Sequence, residues 1–439
     1  MRITVIILQL ALGLFAPTVL ANEVATQPTE DDPGKAIDSD TLSDPSAFLA
    51  GEYLTGDWWG ARTALEESGI DLHLSLTAIY QHNVRGGLQT RNGHRITGSV
   101  DLELTLDLEA MGLLDGGVVY AYAESGWGNE IGADRVGSYF PVNADAIGDR
   151  AIRLIELWYE QTFFNKKARM RVGKLDLTVD FDANAYAYDE TSQFMNAALV
   201  NAGNIPFPDY GLGAQFIVNP TDWLYLGLAA ADAHANGDQT GLNTTFHGPA
   251  DFFGVFEFGF LPVWQTPWGR LPGGYRFGIW YDPQSKEQFF DDRGGRRKRA
   301  PTRRDDIGFY TSLDQMVYKE VPSDDLDQQG LGLFFRYSYA HEDVNEIEHF
   351  WSIGGQYTGL VPGRDEDVLG FGVAQGLLTD DLRYVDEKPG RETVLELYYN
   401  ILVAPGLTLS PDVQVILDPG GRYDGADSVV LGLRAQMCL

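Results

Sequence analysis

The sequence predicts an all-β protein: one sixteen-stranded antiparallel transmembrane β-barrel preceded by a short N-terminal helical region. Three observations lead there. From Ile70 onward apolar residues recur every second position, the period of a strand rather than the 3.6 of a helix. Beyond the first residues no window holds the ~20 consecutive apolar residues of a spanning helix. For most of the chain, 262–273, 319–329 and 342–345 apart, the connections between apolar runs also alternate between long and short, as external loops and periplasmic turns do in such barrels.

In chain order, residues 1–21 read as a secretory signal peptide. Arg2 gives the positive start, Ile3 to Ala16 the short apolar stretch, and Val19-Leu20-Ala21 the small residues for cleavage. Residues 22–50 are polar and acidic, a flexible segment, and residues 51–69 are expected to form a short helical plug region. The barrel occupies 70–439. Its strands are expected at 70–83, 98–110, 117–125, 150–162, 168–177, 211–219, 223–231, 252–261, 274–282, 306–318, 330–341, 346–358, 368–377, 392–403, 407–417 and 428–439. An even count suits a bacterial barrel. If the first strand rises from the periplasm, the long connections 84–97, 126–149, 178–210, 232–251, 283–305 and 378–391 are all external.

Burial cost fixes the faces. A basic side chain on the lipid face at mid-bilayer costs ~2–4 kcal/mol, and an acidic one somewhat less. Asp101, Glu103, Asp107 and Glu109 are therefore expected to line the lumen, with Leu102, Leu104 and Leu106 against lipid. A soluble β-sandwich shows the same alternation with its faces reversed, and period two alone does not separate the two.

Composition agrees. The 439 residues include 50 glycines and 12% aromatics, which suits tight turns and interfacial rings. A mean hydropathy of −0.18 excludes a helical membrane protein. Sixty-three acidic against 32 basic residues argue against nucleic acid as a partner. Cys438 is the single cysteine, so no internal disulfide is possible.

Four motifs resemble the carbohydrate-selective outer-membrane porins of the OprB family. They are Leu54-Thr55-Gly56-Asp57-Trp58-Trp59-Gly60-Ala61-Arg62, with Leu65 and Gly69 after it; Gly173-Lys174-Leu175-Asp176; Asp314-Gln315-Met316-Val317-Tyr318, then Gly330 to Arg336; and Glu392 to Gly421. The resemblance spans about 51–439. It implies a sixteen-stranded barrel, a helical plug and passive uptake of small carbohydrates, monosaccharides such as glucose, across the outer membrane. Small sugars, outer-membrane lipid and lipopolysaccharide, and the barrel-assembly machinery are the implied partners, with a homotrimer one allowed assembly. The chain departs from the family in reading Asp57-Trp58-Trp59-Gly60 where Asp-Trp-Gly-Gly is usual, and in ending on Leu439 rather than an aromatic residue.

A sugar offers hydroxyls that donate and accept, and a C–H face that packs on rings. A selective pore thus needs charged or amide groups with aromatics beside them. The lumen-face candidates are Glu156, Trp158 and Glu160, then Arg169 and Arg171, then Arg336, Glu396, Tyr398, Asp412, Gln414 and Arg434. Loop 178–210, with Asp180, Asp182, Tyr186, Tyr188, Asp189 and Glu190, could fold inward and narrow the pore. Arg171, Arg336, Glu396 and this loop are the expected filter; the competing reading is that the charges only balance one another across a wet wall. The basic run Arg293 to Arg304 reads as an external patch for anionic solutes or lipopolysaccharide, or as a solvated loop paired with nearby aspartates. Trp264 and Trp268 read as interfacial.

No catalytic, metal or cofactor site is expected. The seven histidines form no HExxH, and Asp325 to Arg336 places Arg where a calcium loop needs Glu. A non-selective general porin stays open as an alternative, with a secreted sugar-binding lectin or an outer-membrane hydrolase behind it.

Overall fold

The computed structural model describes residues 53–289, 300–325, 327–385, 390–421 and 425–439. The expected signal peptide, the acidic segment and most of the basic run at 293–304 lie outside these residues.

Sixteen antiparallel strands make the wall: β1 Ile70–Arg85, β2 His94–Asp107, β3 Gly117–Trp127, β4 Arg150–Phe163, β5 Ala168–Leu175, β6 Gly211–Thr221, β7 Leu224–Asp232 and β8 Phe252–Phe260. Then come β9 Gly269–Asp282, β10 Asp306–Lys319, β11 Gly330–Tyr339, β12 Ile347–Thr358, β13 Val368–Leu378, β14 Arg391–Ala404, β15 Leu407–Leu417 and β16 Ser428–Cys438. Each pairs with its sequence neighbour, and β1 also pairs with β16 from Ser75↔Cys438 to Arg85↔Val429, so the sheet closes. Closure removes the unpaired edges that lipid could not hydrogen-bond. A short segment, Val263–Thr266, pairs only with the lower end of β9.

The two faces settle what alternation alone leaves open. Ile152, Leu157, Phe216, Leu228, Phe256, Ile279, Phe309, Ile353, Phe371, Leu397 and Leu433 are exposed around the outside. Asp101, Glu103, Arg171, Glu257, Arg336, Glu396 and Arg434 are buried inside. This is the inverse of a sandwich, and an apolar belt this extensive needs lipid rather than water. Trp264 and Trp268 are half-exposed at the periplasmic hairpin, consistent with an interfacial position.

Two expected lumen residues are elsewhere. β2 ends at Asp107 and the chain turns at Leu108. Asp107 is exposed and accepts the backbone N–H groups of Glu109 (2.9 Å) and Ala110 (3.0 Å), while Glu109 accepts that of Gly116 (3.0 Å). Both carboxylates brace the turn, because their short reach to local N–H groups competes with continuing the strand.

Ahead of β1, a seven-residue helix, α1 (Ala61–Glu67), follows a turn held by Asp57, which accepts from Thr63 N (2.9 Å) and Oγ1 (3.0 Å). This segment joins the seam where the barrel closes. Leu54 N donates to Cys438 O (2.8 Å), and Arg62 donates to Leu72 O (3.2 Å) and Leu439 O (3.0 Å). The Arg62 guanidinium lies 3.7 Å from the Tyr53 ring centre and 4.3 Å from that of Trp58.

Candidate functional site in the barrel lumen

The segment after β5 folds into the lumen. Asp176 caps a single 3-10 turn, Leu177–Val179, by accepting Thr178 N (2.9 Å) and Oγ1 (2.7 Å). Leu177, Val179, Phe181, Phe194, Met195, Leu199 and Val200 are then all buried, so the loop carries its own apolar core against the wall. Phe194 meets Tyr398 edge-on at 4.9 Å and Phe334 at 5.7 Å, favourable aromatic geometries. Glycine makes the seating possible at Gly332: a Cβ there would fall 2.1 Å from the Tyr186 ring.

The predicted polar residues form three groups around this loop. On β4 to β6, Arg171 pairs with Glu160 (2.9 Å) and Asp180 (3.1 Å), Arg169 pairs with the same two carboxylates, and Gln215 donates to Asp180. Trp158 is stacked between Tyr120 (4.7 Å) and the Arg171 guanidinium (3.9 Å). Glu156 accepts from Trp158 Nε1 (3.2 Å) and Asp176 N (3.2 Å). Burial alone would raise the Asp180 carboxyl, but the Arg169 and Arg171 charges outweigh it and bring the group down to about 2.

The second group is Arg336 on β11 with Asp182 on the loop. Both are fully buried, paired at 3.3 Å, with Arg336 also donating to Asp182 O (3.1 Å). The third spans β14 to β16. Glu396 accepts Met195 N (2.5 Å) and Asn196 N (2.9 Å); Gln414 accepts from Asn196 Nδ2 (2.9 Å) and donates to Asp412 (3.1 Å). Arg434 donates to Glu190 O (2.7 Å) and Gln193 O (2.9 Å), and Tyr398 to Gln356 (3.0 Å). Tyr188 and Asp189 are held within the loop, where Gln193 takes both backbone N–H groups.

Arg336, Glu396 and Arg434 are thus engaged by the loop and Tyr398 by Gln356 of the wall, and all four have almost no exposed surface. The charges that do reach solvent are those of the first group: the side chain of Arg169 is 29% exposed and that of Glu160 13%. A second inward loop, 128–149, is held by Glu392, which accepts Tyr139 N (2.6 Å), Phe140 N (3.0 Å) and Gly420 N (2.6 Å). Gln81 and Gln414 both donate to Val142 O.

A fourth group, on β7 to β10, lies outside the expected lumen candidates. Glu257 accepts from Tyr310 Oη (2.7 Å), Tyr225 Oη and the backbone of Asp182 (3.1 Å), and Arg276 pairs with Asp314. The inward parity of Glu257 in 252–261 and of Arg276 in 274–282 was the available signal.

A closed wall, an apolar outside and a charged inside narrowed by its own loop describe a pore, and sequence comparison supplies the family. The profile of the carbohydrate-selective porin, OprB family, matches residues 91–438. The chain belongs to that family. Porin B of Pseudomonas aeruginosa is 26% identical over 426 residues, covering 88% of this chain and 91% of the relative. The putative porin QuiX of Acinetobacter baylyi is 21% identical over 420 residues, covering 88% and 93%. In fold, the high-pH structure of Pseudomonas putida OprB superposes with a TM-score of 0.79 at 22% identity, covering 90% of this porin and all of that chain. This porin is an outer-membrane passage through which carbohydrates diffuse passively.

Proposed function

We propose that the porin admits single small sugars, monosaccharides such as glucose, and selects them where Arg169 and Glu160 face the lumen beside Arg171, Asp180 and Trp158. The observation that carries this reading is that cluster: two guanidinium groups and two carboxylates fixed by each other, with Arg169 and Glu160 accessible. Guanidinium groups donate and carboxylates accept, so together they match both roles of a sugar hydroxyl. Pairing within the cluster keeps it rigid before a sugar arrives. It also keeps the interaction weak, since a millimolar site needs only about 4 kcal/mol. Arg336, Glu396 and Arg434 act one step back, holding the loop that sets the width of the path.

Residues 1–21 are the export leader in this reading, removed after Ala21, and lipopolysaccharide and the barrel-assembly machinery are the partners of the wall. The test is ion current through single channels with glucose added. Saturable block that weakens in Arg169→Gln supports the filter. Current reduced only in proportion to solution viscosity, for wild type and variant alike, overturns it in favour of a general porin.

A further inference from the structure

We infer that Tyr225 is a platform for the C–H face of a sugar ring, so that the pore distinguishes cyclic sugars from open-chain polyols carrying the same hydroxyls. This rests on the sugar-path reading and deepens it. Gly259 on β8 stands directly across from Tyr225 on β7 and from Arg276 on β9. A Cβ on Gly259 would lie 2.2 Å from the Tyr225 ring, so the ring packs over the glycine. Its hydroxyl is fixed on Glu257, which is fully buried. Tyr225 is half-buried and has the inward parity of β7, alternating with the outward-facing Leu228.

A charged pair adjoins the ring on one side. Arg276 folds over Gly274, whose Cβ would come 2.5 Å from the guanidinium, and pairs with Asp314 to form one polar edge. In the other direction Ile217 on β6 pairs with Gly227 on β7 and with Arg169 on β5. Arg169 is therefore two strands from Tyr225 and one inward-facing position away along the wall. Two strand spacings are roughly 10 Å, and Phe181 of the inward loop packs with Ile217 over the intervening Gly227, so a sugar would meet Tyr225 and Arg169 in succession rather than together. A pyranose presents a rigid apolar face and a hydroxyl rim, whereas an open-chain polyol has the hydroxyls without the face.

The test compares entry of glucose and sorbitol into liposomes carrying wild type, Tyr225→Phe, Tyr225→Leu or Gly259→Ala, with an amino acid of similar size as a third solute. Heat-resistant migration on gels checks that each barrel is closed. Wild type and Tyr225→Phe should share one glucose-to-sorbitol ratio above one. Tyr225→Leu, which removes the ring, should lower it by about threefold, in line with the energy of aromatic packing. Gly259→Ala, which displaces the ring while keeping it, should do the same even if Tyr225→Leu does not fold. An unchanged ratio in a folded Tyr225→Leu or Gly259→Ala barrel overturns the platform while leaving the sugar path standing. Glucose entering wild type no faster than the amino acid overturns the sugar path itself.

Discussion

Replacing Glu396 should loosen the inward loop rather than remove a sugar contact. Its two carboxylate oxygens take the backbone N–H groups of Met195 and Asn196 at 2.5 and 2.9 Å, in a site with almost no exposed surface. A buried hydrogen bond contributes up to about 1.5 kcal/mol, so losing both in Glu396→Ala removes about 3 kcal/mol. The loop keeps its other attachments at Arg336, Gln414 and Arg434, and the loss is local. Since each 1.4 kcal/mol is tenfold, amide exchange at Met195 and Asn196 should accelerate about 100-fold, with exchange in the strands unchanged. Glu396→Gln keeps one acceptor and should give about tenfold. Hydrogen exchange by mass spectrometry in detergent micelles reads both. Undiminished protection at these amides in Glu396→Ala would refute the anchoring role. Lost glucose block with loop exchange unchanged would instead return Glu396 to direct contact with the sugar.

Three further outcomes follow from the geometry. Arg62→Ala loses two ring contacts and its bonds to Leu72 and Leu439, about 2–4 kcal/mol. It should lower the temperature at which the barrel loses heat-resistant migration, and Arg62→Lys should restore less than half, lacking the planar stack. Asp180 is held below its unfolded value, so its contribution is complete above pH 4 and lost as pH falls toward about 2. Glucose block should therefore be flat from pH 7 to 4, whereas Asp180→Asn should weaken it at every pH; a midpoint near pH 5 for Asp180 by carboxyl NMR would contradict this. Gly332→Ala places a methyl against the Tyr186 ring and should raise open-channel conductance by shifting the loop, while an unchanged conductance would show that the ring does not set the bore.

Much of the wall was legible because lipid enforces alternation on every strand. Leu102 and Leu104 must face out if Asp101 and Glu103 face in, and all sixteen expected runs overlap an observed strand. Legibility ended where the alternation outran the strand, as at Asp107 and Glu109, whose pattern continues although the chain has turned. It also ended inside the lumen. Period two says that Arg336, Glu396 and Arg434 point inward, but not whether water or a folded loop meets them. That answer lies in contacts such as Glu396 with Met195, some 200 residues apart. Tyr225 escaped notice because β7 is rich in alanine and glycine, which blunt the contrast between its faces, and because the role of its ring depends on Gly259 across the sheet.

The central claim, a pore that selects carbohydrates, is tested most directly by swelling of liposomes carrying the purified porin in isotonic glucose, in larger saccharides and in amino acids of similar size. Fast glucose entry with amino acids lagging and larger saccharides slower still is the predicted result. Entry ordered by size alone, with no advantage for the sugar over an amino acid of equal size, would contradict it.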